Sequence, residues 1–116
     1  MEKLLVYDYE KKKLVKEKIY KKNYRHCCLI YTKNFGQVIQ VDIGALTIGS
    51  IKQNLIKGGK CKRGEEKGYF EIGGSTIILI FKKNSIIIEN DILQYSEKGI
   101  ESYVKYGSAI GRKYGI

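Results

Sequence analysis

The residues QVIQVDI, at positions 37–43, alternate strictly. Val38, Gln40 and Asp42 fall on one side of an extended chain, and Ile39, Val41 and Ile43 fall on the other. That period of two belongs to a strand. Similar short runs recur at 26–32 (HCCLIYT), 69–72, 76–81 and 85–89. Between them stand turn signals: KNFG, in which Asn34 and Gly36 tolerate unusual backbone angles, and KKNS at 82–85. Gly44 and Gly49 interrupt the continuation GALTIGSI as breaks or bulges. Residues 57–68, KGGKCKRGEEKG, read as a charged, glycine-rich loop. Two more polar runs, 3–9 and 13–20, are expected as short strands around an EKKK turn.

The C-terminal part is less regular. NDILQYSEKG predicts a single helical turn, capped by Asn90 or Asp91 and ended by Gly99. ESYVKYGSAIG then reads as another short strand and turn. VDIGALTIG and VKYGSAIG echo one another in their spacing of apolar residues and glycine. Short strands with glycine corners predict a mainly β fold, a compact barrel or sandwich of hairpins with at most one short helix near the C-terminus.

The bulk composition agrees. A chain of 116 residues with no proline or tryptophan and 43% hydrophobic residues forms one globular domain with a modest core. Ile is abundant and Ala scarce, which favours strands. The net charge of +10 points to an anionic partner (nucleic acid, membrane surface or substrate) or else to a lysine-rich solubilising surface. Much of the excess lies in the first 25 residues. The cysteines, Cys27, Cys28 and Cys61, are odd in number and two are adjacent, which fits a reducing compartment. His26 beside Cys27 and Cys28 has no metal-ligand spacing, and alternation turns Cys27 away from the other two, so no metal is expected. The N-terminus lacks the apolar core of a signal peptide, and no apolar run approaches the roughly 20 residues of a membrane span. Membrane contact is therefore expected to be peripheral.

The segment Gly73-Gly74-Ser75-Thr76 joins two of the strand runs. It lacks the spacing of a phosphate loop, and it is not a Gly-x-Ser-x-Gly nucleophile elbow. By itself the tetrapeptide reads either as a softened bulge or as the surroundings of a reactive serine.

The longer stretch RGEEKGYFEIGGSTIILIF resembles the C-terminal signature of phosphatidylserine decarboxylase proenzymes, where a KGEE-GYF-like lead enters a Gly-Ser-Thr motif. NFGQVIQVDIGALTIGSI upstream looks like that family's FG-V-VGA-VGSI segment, NYR at 23–25 resembles its Asn-x-Arg strand entry, and GIESYVKYGSAIG is similar to the end of clostridial-type members. The resemblance implies two parts: a lysine-rich segment over 1–22 of uncertain role, and a decarboxylase-like C-terminal domain over 23–116, incomplete relative to the family. It implies self-cleavage between Gly74 and Ser75. Ser75 would be the nucleophile and the precursor of a pyruvoyl cofactor, and Gly73 and Thr76 would complete the motif. The implied substrate is phosphatidylserine, converted to phosphatidylethanolamine and CO2 at the cytoplasmic face of the cell membrane. Lys57, Lys60, Lys62 and Arg63 around the loop either attract an anionic lipid surface or only solvate the loop.

The family's activating Asp and His lie N-terminal to the stretch matched here. His26, Asp8 and Asp42 are not credible copies of them. The chain alone is therefore expected to be inactive or to depend on a partner chain that supplies both groups. The competing reading is a non-catalytic basic β-domain binding anionic lipid or nucleic acid. The ten tyrosines are scattered and no nucleic-acid signature appears, so no nucleic acid is expected.

Overall fold

A computed structural model describes residues 2–4, 25–44, 50–55, 58–71 and 75–115. The order of elements is β1 (Glu2–Leu4), β2 (Arg25–Thr32), β3 (Gly36–Ile43), β4 (Ile51–Gln53), β5 (Gly68–Phe70), β6 (Thr76–Phe81), β7 (Ile86–Ile88), α1 (Asn90–Glu97), β8 (Ser102–Val104) and β9 (Gly111–Lys113). The described residues are mainly β with one short helix, as the alternation predicts. Among the described residues the strands form several small sheets and no closed barrel: β2-β3-β6, β4-β5, β1-β8 and β7-β9. The strand expected over 13–20 and most of the one expected over 3–9 lie outside the described residues.

The chain divides into two compact units. One comprises Lys16–Ile30 and Val38–Ile80. Within it β4 and β5 pair antiparallel, with Ile51 opposite Phe70, Lys52 opposite Tyr69 and Gln53 opposite Gly68. Two further backbone bonds extend this ribbon: Asn54 N–H donates to Lys67 O at 2.7 Å, and Glu71 N–H donates to Ser50 O at 2.7 Å. The apolar core of this unit is small, with Val38, Ile43 and Ile51 buried among the described residues. Alternation on β3 does not sort apolar from polar. Asp42 is buried on the same side as Val38, while Ile39 on the other side is exposed. A buried carboxylate needs compensation, which the site below supplies.

The other unit comprises Met1–Val15, Tyr31–Gln37 and Phe81–Ile116. The KNFG turn is fixed by Thr32, whose Oγ1 accepts from Phe35 N–H at 2.9 Å and donates to Gly36 O at 2.7 Å. Gly36 takes the left-handed φ of +68° that the turn requires. The Phe35 ring meets Phe81 edge to face, with centroids 6.1 Å apart. β1 pairs with β8 and β7 with β9, both antiparallel.

The helix differs in two respects from the sequence expectation. It runs for eight residues rather than one turn, and Glu89, not Asn90 or Asp91, is its N-cap. The reason is that Glu89 O already accepts the first helical bond, from Leu93 N–H at 3.1 Å. Asp91 instead turns its Oδ1 to Ile92 N–H. The expected stop at Gly99 holds. Its φ is +73°, and Gly99 N–H and Ile100 N–H donate to Ser96 O and Tyr95 O, closing the last turn. Ile92 is the buried residue of the helix.

Candidate functional site: the segment before β6 and a buried ion pair

Ser75 is exposed and stands immediately before β6, whose first residue is Thr76. Gly73 and Gly74 lie outside the described residues. Ile72 also lies outside them, and the described chain is anchored up to Glu71 and from β6 onward. On the upstream side, β5 is held by β4, and the Glu71 N–H bond to Ser50 O carries that anchoring to within four residues of Ser75. On the downstream side, β6 pairs with β3. Gly68 is obligatory in this arrangement: a Cβ there would collide with the carbonyl oxygen of Lys52 on β4.

Between these strands sits a polar cluster. Lys67 Nζ lies 2.8 Å from Asp42 Oδ2 and donates also to Gln53 Oε1 at 2.7 Å. Gln40 Nε2 donates to Asp42 Oδ1 at 2.8 Å, and Gln53 Nε2 donates to Asp42 Oδ2 at 3.2 Å. Burial works to raise the Asp42 carboxyl pKa. The hydrogen bonds from Gln40, Lys67 and Gln53, with the Lys67 charge, outweigh it and hold the carboxyl below its ordinary value. A carboxylate so fully engaged is a structural anion and not a free base. The cluster lies against a pocket of about 160 Å³, bordered also by Ile51, Gly68, Tyr69, Phe70 and Ile77. Ile77 is two residues beyond Ser75.

The sequence singled out Asp42 only to set it aside as a catalytic candidate, and missed Lys67 and Gln53. No local signal marked them, because Asp42 shares its face with Gln40 and reads as the solvent side of an alternating strand. His26 is on β2, and β3 stands between β2 and β6 in the sheet order, which separates it from the strand that Ser75 leads. Its Nδ1 is buried and has no hydrogen-bond partner among the described residues. Asp8 and Lys57 lie outside the described residues, while Lys60, Lys62 and Arg63 are exposed. Among the described residues, no three His, Cys, Asp or Glu side chains gather as a metal site. No helix among them is long and apolar enough to cross a membrane.

The model of the family described as phosphatidylserine decarboxylase matches residues 3–112. The chain belongs to the phosphatidylserine decarboxylase family. It is 50% identical over 94 residues to phosphatidylserine decarboxylase proenzyme 2 of Clostridium acetobutylicum, a match covering 81% of this chain and 32% of that protein. It is 45% identical over 96 residues to the phosphatidylserine decarboxylase proenzyme of Clostridium kluyveri, covering 83% and 32%. It is 46% identical over 90 residues to the corresponding proenzyme of Ruminiclostridium cellulolyticum, covering 78% and 30%. The chain thus spans about a third of the length of the curated relatives it matches. No solved structure gave a significant match.

Proposed function

We propose that this chain is the C-terminal part of a pyruvoyl-dependent phosphatidylserine decarboxylase, a carboxy-lyase, and that it is cut between Gly74 and Ser75. The observation that carries the reading is the position of Ser75: an exposed serine before β6, preceded by two glycines, with anchored strands on both sides. In the cut, the Ser75 hydroxyl attacks the Gly74 carbonyl and the peptide C–N bond breaks, leaving an ester. Glycine at 74 keeps that carbonyl open to attack and permits an unusual backbone angle. Removal of the Ser75 α-proton then expels the Gly74 carboxylate and leaves dehydroalanine. Water converts the dehydroalanine to a pyruvoyl group with release of ammonia.

Ser75 suits this fate because the new N-terminus would directly adjoin a strand already paired in a sheet. When bound into the chain in this way, the pyruvoyl group supplies the electron sink for loss of CO2 from phosphatidylserine, giving phosphatidylethanolamine. The two products of the cut are held together by pairings that cross it, β6 with β3 and β8 with β1. A serine hydroxyl needs a positioned base. Asp42 is engaged by Lys67 and two glutamines, and the base is read as the family's N-terminal Asp and His, without which the chain is inactive. The site of action is the cytoplasmic face of the membrane, reached peripherally, with Lys60, Lys62 and Arg63 toward anionic lipid.

The test is the intact mass of the denatured chain, with hydroxylamine to trap an ester. Two pieces meeting at Gly74 and Ser75, the second blocked at its N-terminus, support the reading. A single 13.3 kDa species that persists in the presence of the remaining part of a relative's proenzyme sinks it.

A further inference from the structure

Two turns of the unit that contains α1 carry the same dipeptide, Lys33-Asn34 in KNFG and Lys83-Asn84 in KKNS. Both turns are tied internally. Thr32 Oγ1 bridges Phe35 N–H and Gly36 O in the first. In the second, Ser85 donates twice to Lys82 O, from N–H at 3.2 Å and from Oγ at 2.6 Å. Asn84 takes a left-handed φ of +62° there, which asparagine tolerates. The edge-to-face contact of Phe35 with Phe81 sets the turns side by side, since Phe81 adjoins Lys82. Strand β9 reaches the same place. Tyr114 N–H donates to Ser85 O at 3.3 Å, and Lys113 stands opposite Ile86, the residue after the turn. Lys33, Lys82, Lys83, Lys113 and Tyr114 are exposed. No Asp or Glu occurs in 31–37, 81–88 or 110–116, so these segments form one basic end of the unit.

We propose that this basic end is a contact surface for the anionic headgroups of a phospholipid bilayer, in addition to the loop over 57–68. The choice of a bilayer rests on the reading of the chain as part of a lipid-modifying enzyme, and three physical arguments favour it. Each lysine held close to an anionic bilayer is attracted by the surface potential, and such attractions add within a Debye length. The lysines stand on turn tips, which are convex. A convex tip meets a flat surface, whereas a nucleic-acid strand needs a groove to follow. Tyr114 has the apolar ring and polar end that suit the headgroup level. A second copy in two-fold contact would set the same lysines against themselves. The internal hydrogen bonds of both turns already hold their backbones, so contact orders little further chain.

The experiment is flotation of this chain with phosphatidylcholine vesicles, plain or containing about one third phosphatidylglycerol. Phosphatidylglycerol carries the charge without being the proposed substrate, so an uncut or inactive chain leaves the readout intact. The unchanged chain should float with the anionic vesicles alone, and added salt should release it. Lys33→Gln with Lys82→Gln and Lys113→Gln should weaken partition by roughly 100-fold, about fivefold for each lysine. Lys52→Gln with Lys98→Gln and Lys105→Gln removes the same charge from other exposed positions and should weaken it by no more than about threefold. All six side chains are exposed, so thermal midpoints should stay within about 2 °C of the unchanged chain. Lys82→Gln alone, with its fivefold loss, repeats the test at a smaller change of charge. Equal losses in the two triple variants would trace binding to net charge and overturn the proposal. Absence of flotation would also overturn it. So would binding of a single-stranded oligonucleotide that the first variant abolishes while vesicle binding survives.

Discussion

Lys67 Nζ sits 2.8 Å from Asp42 Oδ2 and ties the residue that precedes β5 to the middle of the sheet that contains β6. β5 leads into the Gly73–Ser75 segment, and β6, which pairs with that middle strand β3, leads out of it. The side chains are 16% and 6% exposed, so the pair is largely withdrawn from water. Removing one partner of such a pair leaves the other desolvated and uncompensated. Lys67→Met should therefore destabilise the chain by about 2–4 kcal/mol, less than a fully buried pair because Lys67 retains some water contact. Urea denaturation measures this. A loss below about 0.5 kcal/mol would mean that the pair is no more than a surface ion pair.

The same carboxylate makes stability depend on acid. Its folded pKa lies below the ordinary 3.8. A depressed folded value means that the contribution is complete above the unfolded pKa and is lost as pH falls through the folded one. Stability should thus decline below about pH 5, and Asp42→Asn should flatten that decline. Denaturation midpoints taken across the acid range for both proteins decide it. Parallel curves would assign the acid sensitivity to other carboxylates.

Two glycines should respond very differently to alanine. At Gly68 a Cβ would meet backbone, the Lys52 carbonyl oxygen foremost and Gln53 Cα at 3.2 Å. The cost expected is about 2–3 kcal/mol, through displacement of β5 from β4. At Gly58 nothing lies within 4 Å, and only the φ of +79° opposes a side chain. Gly58→Ala should cost about 1 kcal/mol. Equal losses at the two sites would show that β5 shifts without penalty.

Ser75→Ala isolates the chemistry from the fold. The residue is exposed, so its removal should alter stability by no more than about 0.5 kcal/mol. Under conditions that cut the unchanged chain, the variant should stay whole at 13.3 kDa. The cut chain should elute as one particle on gel filtration and separate only in denaturant, because β3 with β6 and β1 with β8 bridge the break. Fragments that part without denaturant would contradict those pairings.

The strand positions were legible because period-two alternation and turn residues are local properties. QVIQVDI and TIILIF became β3 and β6, and Gly99 ended the helix by its own left-handed φ. The helix start was misread by one or two residues. Which carbonyl accepts the first helical bond depends on where the preceding strand releases the chain, and Glu89 N–H is still bonded to Ile110 O. The GGST segment and its lead-in were likewise visible as sequence.

The sequence by itself determined that this chain builds short strands with glycine corners and carries a Gly-Gly-Ser-Thr segment between two of them, because backbone propensity and turn chemistry act over a few residues. Only the tertiary structure decided that Asp42 is buried and engaged by Lys67 from 25 residues away, and that Ile77 to Ile80 remain uncovered. Those outcomes depend on which strands meet. Pairing between distant segments is set by the summed burial and hydrogen bonding of the whole fold, and no local pattern carries that sum.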